Sequence, residues 1–193
     1  MKVFNIVYVS KHGFTEKYAK MVSEKLGVNA YTLKEAKKAL SKNEPIIFMA
    51  GINNNRLNDL KKVQKKYDIK SVLAVGMSFY RPTLPELIRI INGFEEDFPL
   101  FYAQGGLDPN KINKIEKFLL QMSLAQYSQI TEPTEIDKLT VDMLGNPADY
   151  TSEDKLYEFY AYVLDDPSYL DLIPKEEITI EEEDIEIIET NEE

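Results

Sequence analysis

Apolar residues in this chain fall into short unbroken runs, separated by stretches in which they recur every three to four positions. That is the pattern of buried strands alternating with amphipathic helices. The first run, Val3 to Val9, is β-branched and aromatic and reads as a strand buried on both faces. From Phe14 the large apolar residues come at Phe14, Tyr18, Met21, Val22 and Leu26, which share one face of a helix. Val28 to Leu33 predicts a short second strand. Lys34 to Leu40 predicts a short helix with Ala36, Ala39 and Leu40 inward, broken at Asn43-Glu44-Pro45. Ile46 to Gly51 is a nearly continuous apolar run and predicts a central strand. A polar loop, Ile52-Asn53-Asn54-Asn55-Arg56, and a helix carrying Leu57, Leu60, Val63 and Tyr67 are expected after it.

Ser71 to Gly76 repeats the buried-strand signal, and Met77-Ser78-Phe79-Tyr80-Arg81-Pro82 forms the loop beyond it. Thr83 is then expected to cap a helix, with Pro85 in the first turn and Glu86 completing a capping box; Leu84, Leu87, Ile88 and Ile91 form its face. Phe98 to Ala103 gives a fifth strand. Gly105 to Pro109 turns into a helix expected to start at Asp108-Pro109 and to bury Ile112, Ile115, Leu119 and Met122. Residues 123–150 contain Tyr127, Pro133, Ile136, Leu139 and Met143, suggesting a short helix that covers the site or packs on the sheet edge. Thr151 to Asp154 starts a closing helix with Leu156, Phe159, Tyr160, Val163 and Leu164 inward. Five strands alternating with five helices predict an α/β doubly wound parallel sheet, because parallel strands need helical crossovers and right-handed ones cover both faces. The domain is expected over 1–164, with an extension over 165–193.

The chemistry concentrates in the first strand-to-helix turn, Ser10-Lys11-His12-Gly13-Phe14-Thr15. Backbone N–H groups at the start of a helix lack intrahelical partners and lie at its positive end, so an anion is the natural guest. Ser10 and Thr15 can donate hydroxyl hydrogen bonds, Gly13 allows close backbone approach, and the amides of Lys11 to Thr15 supply further donors. The alternative is an ordinary turn with Thr15 as the N-cap. No Gly-Lys-Ser/Thr ends the turn and it holds one glycine, which excludes a P-loop and a dinucleotide fingerprint. His12 is the sole histidine and there is no cysteine, so thiol chemistry, disulfides and a thiolate or two-histidine zinc site are excluded.

The S-x-x-G-x-T turn resembles the phosphate loop of flavodoxins. The segments Gly51 to Lys62, Phe98 to Pro109 and Asn146 to Ser152 are similar to a flavodoxin-domain family that includes the menaquinone-dependent protoporphyrinogen oxidases. The resemblance covers residues 1 to about 164. It implies a flavodoxin-like five-stranded sheet in the order 2-1-3-4-5, with FMN at the switch point beyond the strands' carboxyl ends. Three loops would then meet the cofactor: Ser10, Lys11, His12, Gly13, Phe14 and Thr15 on the phosphate; Gly51, Ile52, Asn53 and Asn54; and Met77, Ser78, Phe79 and Tyr80. Relatives usually carry a tryptophan or another bulky residue in the second loop and glycines in the third; this chain has neither there, and no tryptophan at all. Tyr80 or Phe79 can take over ring stacking. The Gly51-Ile52 peptide can turn its carbonyl toward the flavin. The implied function is an FMN-dependent electron carrier or small flavin oxidoreductase, working with a redox partner protein or a small-molecule electron acceptor. The alternative is a flavodoxin-fold protein that has lost flavin and acts as a binding module.

Charge changes this picture in one respect. The net charge of −10 lies almost wholly in residues 175–193, which carry ten carboxylates and Lys175, leaving the rest near neutral at −1. A strongly acidic docking body is therefore not implied. No basic cluster with interleaved aromatics suggests nucleic acid. With neither a signal-peptide pattern nor a run long enough to span a membrane, a cytoplasmic protein is expected. The acidic tail reads as a disordered solubilising segment, or, through Ile178, Ile180, Ile185 and Ile187, as a strand pairing in a homo-oligomer.

Overall fold

The computed structural model describes residues 2–108 and 110–174, and the acidic tail with its two readings lies outside the described residues. The first half runs β1 (Asn5–Val9), α1 (Phe14–Leu26), β2 (Ala30–Thr32), α2 (Leu33–Ala39), β3 (Pro45–Asn53), β4 (Arg56–Leu57), α3 (Leu60–Gln64) and β5 (Asp68–Gly76). The second runs α4 (Thr83–Ile91), β6 (Leu100–Gln104), β7 (Gly106–Leu107), α5 (Lys114–Tyr127), α6 (Glu135–Gly145), β8 (Ala148–Asp149) and α7 (Tyr157–Leu164). Five strands pair in parallel in the order β2-β1-β3-β5-β6, the flavodoxin-like arrangement expected from the sequence. A small antiparallel pair, β7 with β8, stands apart.

Alternation along the strands divides the core into two layers. Ile6, Ile47, Met49, Leu73 and Val75 face α1 and α7, meeting Tyr18, Val22, Leu156, Phe159, Tyr160 and Val163. Val7, Ile46, Phe48, Ala50, Val72 and Ala74 face the other side, meeting Ala36, Leu60, Val63, Leu84 and Ile88 from α2, α3 and α4. Because both faces are covered, the strands read as unbroken apolar runs. No helix among the described residues is long and apolar enough to cross a membrane.

Three local expectations are corrected. Ile52 to Arg56 is a hairpin and not a loop: β3 continues to Asn53, and β4 returns with Leu57 opposite Ile52. Asn54 and Asn55 both have positive φ, 47° and 57°, which suits a two-residue turn and which asparagine tolerates better than most residues. Leu57 is buried from that strand and not from α3. At α4, Pro82 precedes the helix and Thr83 is its first residue, with no side-chain cap, and Leu87 is exposed. The third correction concerns the helix after β6. It is expected to bury Ile112, Ile115, Leu119 and Met122, yet α5 buries no residue, and Ile115 and Met122 are 72% and 55% exposed. Its cap is Asn113, whose Oδ1 accepts from the amides of Ile115 and Glu116, and not Asp108. The Gly106–Leu107 strand pairs with β8 and directs the chain over the carboxyl ends of the strands; α7 takes the vacant layer.

Beyond Leu164 the chain stays on the body, past the expected domain boundary. Asp165 ends α7 in a left-handed conformation, and 3-10 turns over Pro167–Leu172 set the Tyr169 ring 5.6 Å from that of Tyr160. Deleting 175–193 is expected to move the melting temperature by no more than about 2 °C, since the described layers are complete without it. Calorimetry together with light scattering of both chains checks this; a larger loss in a monomeric protein would place the tail in the core.

Candidate functional site

The turn after β1 is built around Gly13. Its φ of 98° lies where a side chain costs about 1–2 kcal/mol, and its amide donates to Ser10 Oγ at 3.1 Å. Gly13 is the N-cap of α1, and no side chain caps this helix. The first-turn amides of α1 are therefore left without a side-chain acceptor at the positive end of a thirteen-residue helix. Thr15 is not the N-cap; it sits inside the first turn, 3% exposed, with its hydroxyl close to Gly51. A Cβ at Gly51 would stand 3.2 Å from Asn58 Nδ2 and 3.6 Å from Thr15 Oγ1, so glycine keeps that approach open.

Above this turn lies a cavity of about 350 Å³, at the low end of the range of small-molecule sites. Of the residues read from the sequence, Lys11, His12, Phe14, Thr15, Gly51, Ile52, Asn53, Asn54 and Met77 line it. Ser10 shapes the turn from below, and Gly13 lines a smaller neighbouring cavity with Lys17, Lys111 and Asp149. Ser78, Phe79 and Tyr80 are not among its lining residues. The Ser78 carbonyl accepts from the Tyr102 hydroxyl at 2.6 Å, and the Phe79 ring lies 6.3 Å from that of Tyr150. The Tyr80 hydroxyl donates to Glu158 at 3.1 Å, and burial, with Glu158 adding to it, pushes its pKa up to about 12. Neither aromatic is placed to stack on a ring in this cavity. The Gly51 carbonyl is also engaged, accepting from the Asn58 amide at 3.0 Å, so turning that peptide would cost a hydrogen bond.

The upper wall comes from residues that the sequence did not single out for the site. Helix α5 contributes Ile112 just ahead of it, then Glu116, Leu119, Leu120 and Ser123; α6 contributes Leu144. Met143 is buried beside Gln104, its sulfur 3.7 Å from the amide nitrogen. The legible signal was Asn113-Lys114-Ile115-Glu116, a capping box that places the start of α5 later than Asp108 and turns its faces accordingly.

Lysines surround the turn, and each has a carboxylate. Lys17 pairs with Asp149 and Lys111 with Asp108, while Glu116 takes both Lys11 and His12, the latter at 3.5 Å. Lys11, and after it the Asn113 amide, hold the Glu116 carboxyl below the usual carboxylate range. Among the described residues no group of three or more His, Asp and Glu could hold a metal ion.

The Gly105-Gly106-Leu107 segment is held by close packing. The Gly105 amide donates to the Gly76 carbonyl at 2.6 Å and its carbonyl accepts from the Tyr150 amide at 2.8 Å, tying β5, β6 and the approach to α7 together at the rim. The Tyr18 hydroxyl donates to the Gln104 carbonyl at 2.6 Å from the α1 side. The Ser10–Thr15 turn, a hairpin and a glycine pair thus converge beyond the carboxyl ends of a sheet ordered β2-β1-β3-β5-β6. The family model for the flavodoxin domain matches residues 5–127. This chain belongs to the flavodoxin domain family. No curated protein and no solved structure matches it. In this flavodoxin domain the matched stretch ends with α5, so α6, β8 and α7 lie beyond it.

Proposed function

We propose that this flavodoxin domain binds FMN in the cavity over the Ser10–Thr15 turn and acts as an electron-transfer protein or small flavin oxidoreductase. The observation that carries the reading is the uncapped start of α1, whose first residues Phe14 and Thr15 line the floor of a cavity with an apolar roof. The residues present fit the group. The amides of the first turn of α1, with the hydroxyls of Ser10 and Thr15, would hold the phosphate, and Lys11 and His12 stand beside them. Ile52 and Met77 from the strand ends, with Leu119, Leu120 and Leu144 above, would exclude water from the ring. FMN, when bound, supplies the redox chemistry. The side chains bind, orient and desolvate; none of them needs to act as a general acid or base. A redox partner protein or a small-molecule electron acceptor completes the cycle.

A titration of the purified protein with FMN, followed by absorbance and by quenching of flavin fluorescence, tests the reading. Replacing Ser10 and Thr15 together by alanine is expected to weaken binding by about 1–3 kcal/mol, the usual loss for charge-assisted partners left unmade. Unchanged affinity in the double variant would remove the turn from the site. The second reading, a flavodoxin-fold binding module without flavin, is favoured by the positions of Tyr80 and Phe79 outside the cavity and by the engaged Gly51 carbonyl. A colourless protein that takes up no FMN would decide for it.

A further inference from the structure

We propose that Glu116 determines the ligand specificity of this site: its carboxylate occupies Lys11 and His12 of the Ser10–Thr15 turn, so that only a ligand bearing a phosphate-like dianion displaces it. The proposal rests on the reading of that turn as a phosphate site. Glu116 stands in the first turn of α5, where Oε2 accepts from the Asn113 amide at 2.8 Å as the return half of the capping box. Oε1 contacts Lys11 Nζ and lies 3.5 Å from His12 Nε2. Both partners belong to the turn between β1 and α1, in the same span as the uncapped amides of Gly13's helix.

This contact also sets the position of the roof. Helix α5 buries no side chain; it packs beside α6, and Glu116 ties its start to the turn. Leu119, Leu120 and Ser123 of the same helix line the cavity, and moving its first turn moves them. Three consequences follow from charge. A phosphate monoester carries nearly two charges and three acceptor oxygens, against one charge and two oxygens on a carboxylate, and so competes well for Lys11 and His12. Once the phosphate is seated, Glu116 faces a like charge at close range and is driven off, taking the first turn of α5 with it. A neutral ligand brings no anionic acceptor to these side chains and leaves Glu116 in place.

The test is a set of titrations of the full chain and its Glu116→Gln variant with FMN, riboflavin and inorganic phosphate at one ionic strength. Glutamine serves in a capping box as glutamate does, so α5 keeps its cap; circular dichroism checks the fold, and Glu116→Ser gives the same comparison without the long side chain. The variant is expected to bind FMN and inorganic phosphate about tenfold tighter, with riboflavin unchanged. In the wild-type protein, inorganic phosphate is expected to speed hydrogen exchange in residues 117–127. Equal FMN and phosphate affinities in the two proteins, an equal gain for riboflavin, or protection of 117–127 by phosphate would overturn the proposal. Tighter phosphate binding in the variant, with FMN bound by neither protein, would keep the role of Glu116 and remove the flavin reading. Binding of neither FMN nor phosphate to either protein would overturn both.

Discussion

A chain cut after Tyr127, where the family match ends, is expected to lose cooperative folding, whereas residues 1–174 keep it. The reason lies in α7 and the residue that leads into it. Leu156, Phe159, Tyr160 and Val163 are all 1% exposed or less and cover Ile6, Ile47, Met49 and Leu73 from the α1 side of the sheet. Without them half of that face is open to water, and α5 cannot replace them because it stands over the strand ends with Ile115 and Phe118 outward. The Phe101 and Phe159 rings meet edge to face at 5.6 Å, tying α7 to the edge strand. Phe159→Ala alone is expected to cost about 3–5 kcal/mol, a large share of the roughly 5–15 kcal/mol that holds a domain together. Thermal melts followed by circular dichroism compare 1–127, 1–174 and the full-length Phe159→Ala chain. A cooperative melt of 1–127 close to that of 1–174 would show that α5 can close the sheet after all.

The second large effect is expected at Gly106. An alanine Cβ there would lie 2.2 Å from the Ala148 carbonyl oxygen and 2.8 and 2.9 Å from Phe14 Cε1 and Cζ. Two of these atoms belong to a ring at the cavity and the third to backbone, so none yields as the free end of a side chain would. Relief requires opening the β7–β8 pair, in which Gly106 stands opposite Asp149, or moving Phe14 and with it the turn. Gly106→Ala is expected to cost about 3 kcal/mol, lowering the melting temperature by about 6–12 °C, and to weaken any ligand held at the turn. Gly145→Ala is the control: at the end of α6 a Cβ meets nothing within 4 Å, so no loss is expected. Equal melting temperatures for the two variants would contradict the packing account.

What the sequence alone determined is the sheet and its two layers. Runs such as Ile46 to Gly51 and Ser71 to Gly76 are apolar at every position because strands covered on both faces have no wet side, and that signal is local. The Ser10–Thr15 turn and the face made by Leu156 at the start of α7 with Phe159, Tyr160 and Val163 on it were legible for the same reason, since local spacing carries them. The Asn54-Asn55 hairpin was not read, because its polarity gave a loop, although the dipeptide tolerates the positive φ that the turn needs. Tertiary structure alone decided where α5 lies. Its apolar stripe states only that the helix has one greasy side; whether that side meets the sheet or a cavity depends on β8, some forty residues later, pairing with Gly106 and Leu107. The same holds for Tyr80 and Glu116. An aromatic beyond the fourth parallel strand is adjacent to the site in sequence, yet its hydroxyl is drawn to Glu158 on α7. A capping glutamate looks purely local until the fold brings Lys11 and His12, more than a hundred residues earlier, against its other oxygen. Periodicity and capping act through neighbours in the chain, whereas the roof of this cavity is made by charges and backbone edges that meet only after the sheet has closed.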